Sequence, residues 1–368
     1  MDTIRDQRRK AAHRRRRIIF NNDGCDVWVN DGPGTPEDLL AQRTTGLAGT
    51  QVDSIFYCTI HSGFGQVSHD TSVGELFTTT KGGRVNNMTE RLIERGTDAL
   101  QVNVDFAREH GLEIFASMRM NDTHDGWGGK NEEWLLPRLK KDHPEWLLGS
   151  REEPPQFGRW SAVNYALEPI RNRAFAMIRE VVTEYDVDGV ELDFLRHETY
   201  FPSTAAGRPC SDEERAHMTG LLRRARAMSD EHARKRNKPV LIAVRVEDSI
   251  ALNRDLGLDI ERWLAEDLLD LVSASHYFRM VPWSRLGKLC EKHDVPFYPC
   301  LAESRVLDAD GERQDSVRNS IESYRARAMN AYRAGADGIE IYNLFDPEHA
   351  AFRELGNQRE LSTMDKIY

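Results

Sequence analysis

Eight short apolar or alternating runs, most of them followed by a stretch of helical periodicity, constrain this chain more than any other feature. The runs are RIIFN (17–21), SIFYCTI (54–60), LEIFASM (112–118), DGVELDF (188–194), PVLIAVRV (239–246), LDLVSAS (269–275), VPFYPCL (295–301) and DGIEIYN (337–343). Between them, Thr89 to His110 reads as helix and stops at Gly111. Leu167 to Tyr185 carries Ile170, Ala174, Met177, Ile178, Val181 and Val182 on one stripe. Ser211, with Glu214 three residues on, makes a capping box for a long Arg/Ala-rich helix, and Ser316 to Ala334 runs up to Gly335. This alternation in a chain of 368 residues predicts a (β/α)8 barrel over 17–368 as one domain, with its working face at the C-terminal strand ends. A doubly wound open sheet is the rival topology, but no glycine-rich nucleotide-binding turn follows any run.

Alternation with period two assigns the faces of each strand. Val190, Leu192 and Phe194 form one face of the fourth run; Gly189, Glu191 and Asp193 form the other. The same reading places Arg119, Glu191, Arg245 and Glu340 inside the barrel. Branched apolar residues ordinarily fill that space. A charge network is therefore expected, with Glu191 as the structural partner of Arg119 or Arg245. Residues 121–165, between the third and fourth strands, hold Trp127, Trp134, Trp146 and Trp160 of the seven tryptophans. A connection this long is expected to be an elaborated rim over the barrel mouth.

Charge narrows the function classes. The formal net charge is −10, yet the first 17 residues carry eight Arg/Lys against Asp2 and Asp6. The rest is then strongly acidic, which argues against nucleic acid as the main partner. Residues 1–16 read as a basic, flexible, solvated leader. No run approaches the ~18 apolar residues of a membrane span, and no secretory h-region precedes IIF. Five cysteines without a CxxC pair suit a reducing compartment rather than a disulfide framework or zinc site. The chain as given is thus expected in the cytoplasm, with an exported longer precursor left open. Oligomeric state is not legible.

Asp193 is the prime catalytic candidate, being the last inward position of its strand. Its structural alternative is a carboxylate that holds Arg196 or caps the next segment. Hydrolysis of a glycosidic bond needs a second carboxyl, ~5–5.5 Å away for retention or ~6.5–9.5 Å for inversion. Glu247, on the face of Arg245 at the end of the adjacent strand, is the natural mate, and Glu303 past the seventh strand competes. A nearby Arg would hold the first carboxyl ionised, and burial would raise the second. MRMNDTHDGW (118–127) puts Arg119, Asn121, Asp122, His124 and Asp125 at the mouth, with Trp127 as a flat face for a sugar ring or as rim packing. NDTHDG lacks the spacing and closing Glu of a calcium loop, and DADGER (308–313) reads as a turn. His61 and His276 end the second and sixth strands as metal ligands, substrate contacts or structural donors. The first strand ends NND with Asp23 rather than HxH, which disfavours an amidohydrolase-type metal site, and no GxSxG nucleophile is present.

RRIIFNNDG (16–24), EHGLEIFASMRMNDTHD (109–125), HPEWL (143–147) and above all YDVDGVELDFLRH (185–197) resemble the bacterial family-10-like glycoside hydrolase TIM barrels. That resemblance implies a TIM barrel and a carbohydrate substrate, with Asp193 catalytic and Glu247 as acid/base. True family-10 enzymes place Glu on strands four and seven, whereas this chain has Asp193 and, near the seventh strand, Glu303. The leading expectation is a glycoside hydrolase needing no metal or cofactor. Asp23, His61, Arg119, Asn121, Asp122, His124, Trp127, Arg196, His197, Arg245, His276, Tyr277, Glu303 and Glu340 are its candidate substrate contacts. A non-catalytic carbohydrate-binding barrel and a metal-dependent sugar isomerase or epimerase are the alternatives.

Overall fold

A computed structural model describes residues 3–29, 32–275, 277–303 and 315–368. Eight strands, β1 (Ile18–Asn22), β2 (Val52–Cys58), β3 (Glu113–Arg119), β4 (Gly189–Asp193), β5 (Leu241–Val246), β6 (Leu271–Ala274), β7 (Phe297–Ala302) and β8 (Ile339–Tyr342), pair in parallel and close into one barrel. β8 returns to β1 through the register Ile18↔Ile339. The barrel is therefore a (β/α)8 barrel, and each strand lies within three residues of the run that predicts it.

Sequence capping explains the helices around it. The interval from Thr89 to His110 is not one helix but two, Thr89–Glu94 and Ala99–His110, because Asp98 restarts the chain by accepting from the Leu100 and Gln101 amides. Gly111, at φ 67°, ends the second. Glu168–Glu184 buries all six residues of the anticipated stripe. The Ser211/Glu214 box opens Asp212–Arg236. Ser320 rather than Ser316 caps the helix Ile321–Arg333, after a short turn of helix at Asp315–Arg318.

The barrel interior is layered: the Glu113–Arg16 pair lies at its N-terminal end, an apolar layer above it and a polar layer toward the mouth. Ile19, Phe56, Phe115, Leu241, Ala243, Leu271 and Tyr298 form an apolar floor, with the rings of Phe56 and Phe115 stacked 4.4 Å apart. Phe115 fills the space a side chain would need at Gly189, where a Cβ would stand 2.3 Å from Cε1 of Phe115. Above the floor lie Asn21, Ser117, Glu191, Arg245 and Glu340, all buried. The outward faces, including Ile18, Phe20, Ile114, Val190, Leu192 and Val244, join the helices in the main core.

Within the basic leader Arg8 and Arg16 are buried, while Arg5, Arg9, Lys10, Arg14 and Arg15 stay exposed. Ile4–Ala12 (α1) is a helix begun by a Thr3/Asp6 capping box and docked across the N-terminal end of the barrel. Arg8 reaches Asp267 at 2.6 Å, Asp270 at 2.7 Å and Asp230 at 3.3 Å; Arg16 forks onto Glu113 at 2.7 and 2.9 Å. Arg8 and Arg16 are therefore paired with carboxylates on the Asp212–Arg236 helix, just before β6 and at the start of β3. The segment between β3 and β4 carries two short helices, Lys130–Leu135 and Arg138–Asp142, and a bridge from Leu147 to Val163. DADGER (308–313) lies outside the described residues.

Candidate active site

Two groups of polar side chains meet at the C-terminal mouth. The first stands on β4 and β5. Asp193 pairs with Arg245 in register, and the guanidinium clasps both carboxylate oxygens, Nη2 to Oδ2 at 2.6 Å and Nε to Oδ1 at 3.1 Å. The Leu195 amide also donates to Oδ1 at 2.9 Å. Glu191, one layer down, does not pair with Arg119. It accepts from Ser117 Oγ at 2.5 Å and Asn21 Nδ2 at 2.9 Å, while Asn21 also bonds Glu340 at 3.1 Å. Burial, then the neighbouring Glu340, pushes Glu191 well above the ordinary carboxyl value, and burial raises Glu340 too. The interior thus holds fewer charges than its sequence suggests. Arg245 and Glu340 are fully buried beneath Asp193, so they support the mouth rather than line it.

Glu247 follows β5 on the same face, its backbone held by a reciprocal pair of bonds with the Asn253 amide at 2.7 and 3.1 Å. Extending the strand line puts its Cα roughly 8 Å from that of Asp193, given strand spacing and rise. Burial and a shared hydrogen bond with Glu198 lift the Glu247 carboxyl to about 9. Glu198 was not anticipated. It lies in the loop after β4, where strand periodicity no longer applies; LRHE offered its charge but no face.

The second group stands on β1, β3 and their loops. Arg119 turns up to Asp122 at 3.0 Å and to the Asp23 carbonyl at 3.1 Å. Asp23 itself pairs with Arg43 at 2.6 Å, and although burial opposes it, Arg43 leads the charges that hold its carboxyl below the ordinary range. Asn121 bonds the backbone of Val163 and Thr199 and ties the rim to the strand. His61 belongs to a small outer sheet (Ile60–Ser62, Gln66–Val67, Glu75–Leu76) rather than to β2; it bonds Ser68 at 2.8 Å and stacks on Phe77. Burial drives it down to about 3, so it is neutral.

Asp122, His124 and His197 each bring a ligand atom within 4.8 Å of the others. Their hydrogen bonding does not suit a cation. Asp122 is already engaged by Arg119 and by His124 Nδ1 at 2.9 Å. His197 Nδ1 accepts from the Thr123 amide at 3.0 Å, and burial keeps the ring neutral, so the proton sits on Nε2 and no lone pair remains there for a metal. His276 lies outside the described residues.

The remaining candidates disperse. Trp127 is 57% exposed, with its ring parallel to His124 at 6.0 Å and the Arg159 guanidinium 4.8 Å from its centroid. Tyr277 accepts from Asn343 at 3.1 Å and lines a separate cavity of about 290 Å3 between β6 and β7. Glu303 follows β7; burial raises the Tyr324 phenol on the Ile321–Arg333 helix, with Glu303 a lesser contributor. Arg196 and His197 line a cavity of about 480 Å3 with Thr123, Arg159 and Glu198. Another of about 460 Å3, near His13 and Asp294, opens at the opposite end and holds none of the strand-end carboxyls. Ser275 (φ 79°) and Asn343 (φ 56°), just past β6 and β8, are held in left-handed conformations at the mouth.

Comparison with solved structures places this architecture. The chain superposes on the glycoside hydrolase domain of PgaB (BpsB) from Bordetella bronchiseptica with a TM-score of 0.56, at 12% identity over 92% of this chain and 98% of that one. It also superposes on α-L-fucosidase isoenzyme 2 from Paenibacillus thiaminolyticus, with a TM-score of 0.54 at 15% identity over 95% of this chain. It spans about half (49%) of that fucosidase. The likeness is one of fold: a TIM barrel of the kind these glycoside hydrolases share. No protein-family model matches the sequence, and no curated protein matches it either.

Proposed function

We propose that the protein is a glycoside hydrolase of the family-10-like kind, with Glu247 as general acid and Asp193 as nucleophile or base. The observation that carries this reading is the contrast between two neighbouring carboxyls. Glu247, lifted to about 9 by burial and Glu198, holds a proton at neutral pH, whereas Asp193 is engaged as the anion of an ion pair with Arg245. Environments that separate two carboxyls in this way divide acid from base. A Cα separation of roughly 8 Å leaves the carboxyls free to bracket one glycosidic bond at the retaining or the inverting distance.

In this mechanism Glu247 gives its proton to the leaving oxygen as the bond to the anomeric carbon breaks. Asp193 then either attacks that carbon or takes a proton from the attacking water. Glu198 keeps Glu247 protonated, and on reprotonation Glu247 recovers its bond to Glu198. The solved glycoside hydrolases of the same barrel fold support a carbohydrate substrate. Glu303, just past β7, is the competing acid candidate.

One observation favours a binding-only barrel. Both oxygens of Asp193 are already occupied, and the residue is only 2% exposed. A panel of glycans assayed for new reducing ends separates the two readings. The enzyme reading expects cleavage of one glycan class, lost in D193N and E247Q and kept in E303Q. Cleavage that persists in D193N would sink it, and saccharide binding without cleavage by the unaltered protein would favour the second reading.

A further inference from the structure

We propose that the saccharide accepted at this mouth is acidic, carrying a carboxylate as in a uronate, and that Arg196 is the residue that reads it. This rests on the glycosidase reading and deepens it. The argument is a balance of charges. Three arginines around the mouth have a carboxylate in direct contact: Arg43 has Asp23 at 2.6 Å, Arg119 has Asp122 at 3.0 Å and Arg245 has Asp193 at 2.6 Å. Arg196 has no direct ion pair among the described residues, although it is one of the weaker charges that help to hold Asp23 down. It is half-buried, and its Nε is buried without a hydrogen-bond partner. Its guanidinium lies 5.4 Å from the Tyr342 ring, a ring that Arg245 already covers at 3.9 Å.

A guanidinium partly withdrawn from water with no carboxylate in direct contact is costly, and an arriving anion recovers that cost. The planar fork of Arg matches a carboxylate through two parallel hydrogen bonds. Arg196 leaves β4 three residues after Asp193 and opens into the cavity of about 480 Å3, within the ~300–1,000 Å3 typical of small-molecule pockets. Arg159, on the same wall, also lacks an acidic partner among the described residues and lies against Trp127. The neutral His197 adds a donor at Nε2. Opposing them on the same wall is Glu198, whose carboxyl is engaged by a hydrogen bond with Glu247.

The test is isothermal titration of D193N, which holds substrate without turning it over, with neutral, uronate and sulfated oligosaccharides at low and high salt. Uronate oligomers are expected to bind, more weakly as salt rises. Adding R196Q should then weaken them by roughly tenfold or more, with R196K between the two because it keeps the charge and loses the fork. Thermal melting of each variant confirms that it is folded. Binding confined to neutral or sulfated oligomers, or uronate binding unchanged by R196Q, overturns this proposal and leaves the glycosidase reading standing. Binding of no saccharide at all overturns both.

Discussion

Replacing Glu247 by Gln should make the protein more stable at neutral pH while removing its acid. The carboxyl rises from 4.5 to about 9 on folding, so the folded state keeps a proton that the unfolded chain has released. Folded protein therefore binds more protons than unfolded across that window, and stability falls as pH rises from about 4.5 toward 9. At pH 7 the gap from 4.5 is about 2.5 pH units, worth about 3 kcal/mol as an upper figure. E247Q is neutral in both states and escapes this penalty, while its amide keeps the shape and a donor to Glu198. Urea denaturation at pH 4 and pH 7 measures the difference. The variant should match the parent at pH 4 and exceed it by up to about 3 kcal/mol at pH 7. Equal stability at both pH values, or a loss at pH 7, would refute the buried, protonated Glu247 on which the acid assignment depends.

Other consequences follow from neighbouring features. Once a cleaved glycan is in hand, its rate should fall as pH rises through about 9, where Glu247 loses the proton it must donate; a rate still rising beyond that point would contradict the assignment. Glu113→Gln leaves Arg16, 1% exposed, without its anion and should cost about 3–5 kcal/mol in the urea midpoint; an unchanged midpoint would show that α1 and Arg16 do not clamp the barrel. Gly189→Ala forces a Cβ to 2.3 Å from Phe115 and 2.6 Å from the Leu241 carbonyl, and should cost about 1–3 kcal/mol or more through overpacking.

The barrel was legible because its signals are local. Strand runs, the Ser211/Glu214 box and Gly111 each act within a few residues, and the stripe from Ile170 to Val182 needs only helical geometry. Period two also separated Val190 and Leu192 from Glu191 and Asp193 correctly. Pairings across the barrel were harder. Nothing in the spacing tells that Arg119 turns up to Asp122, which frees Glu191 for Ser117 and Asn21. Nor does it tell that Arg8 and Arg16 find Asp270 and Glu113, residues more than ninety positions away. The partners of Arg8 and Arg16 are hidden for that reason: charge density describes the segment but not what lies opposite it. Glu198 is not legible because its partner, Glu247, lies past the end of β5, and no local pattern joins the two.

The central claim is that Asp193 and Glu247 bracket one glycosidic bond. A crystal structure of D193N with a bound oligosaccharide measures it most directly. A linkage oxygen is expected within about 2.6–3.2 Å of the Glu247 carboxyl, with the anomeric carbon facing position 193. A saccharide seated with its linkage against Glu303, or away from both carboxyls, would contradict it.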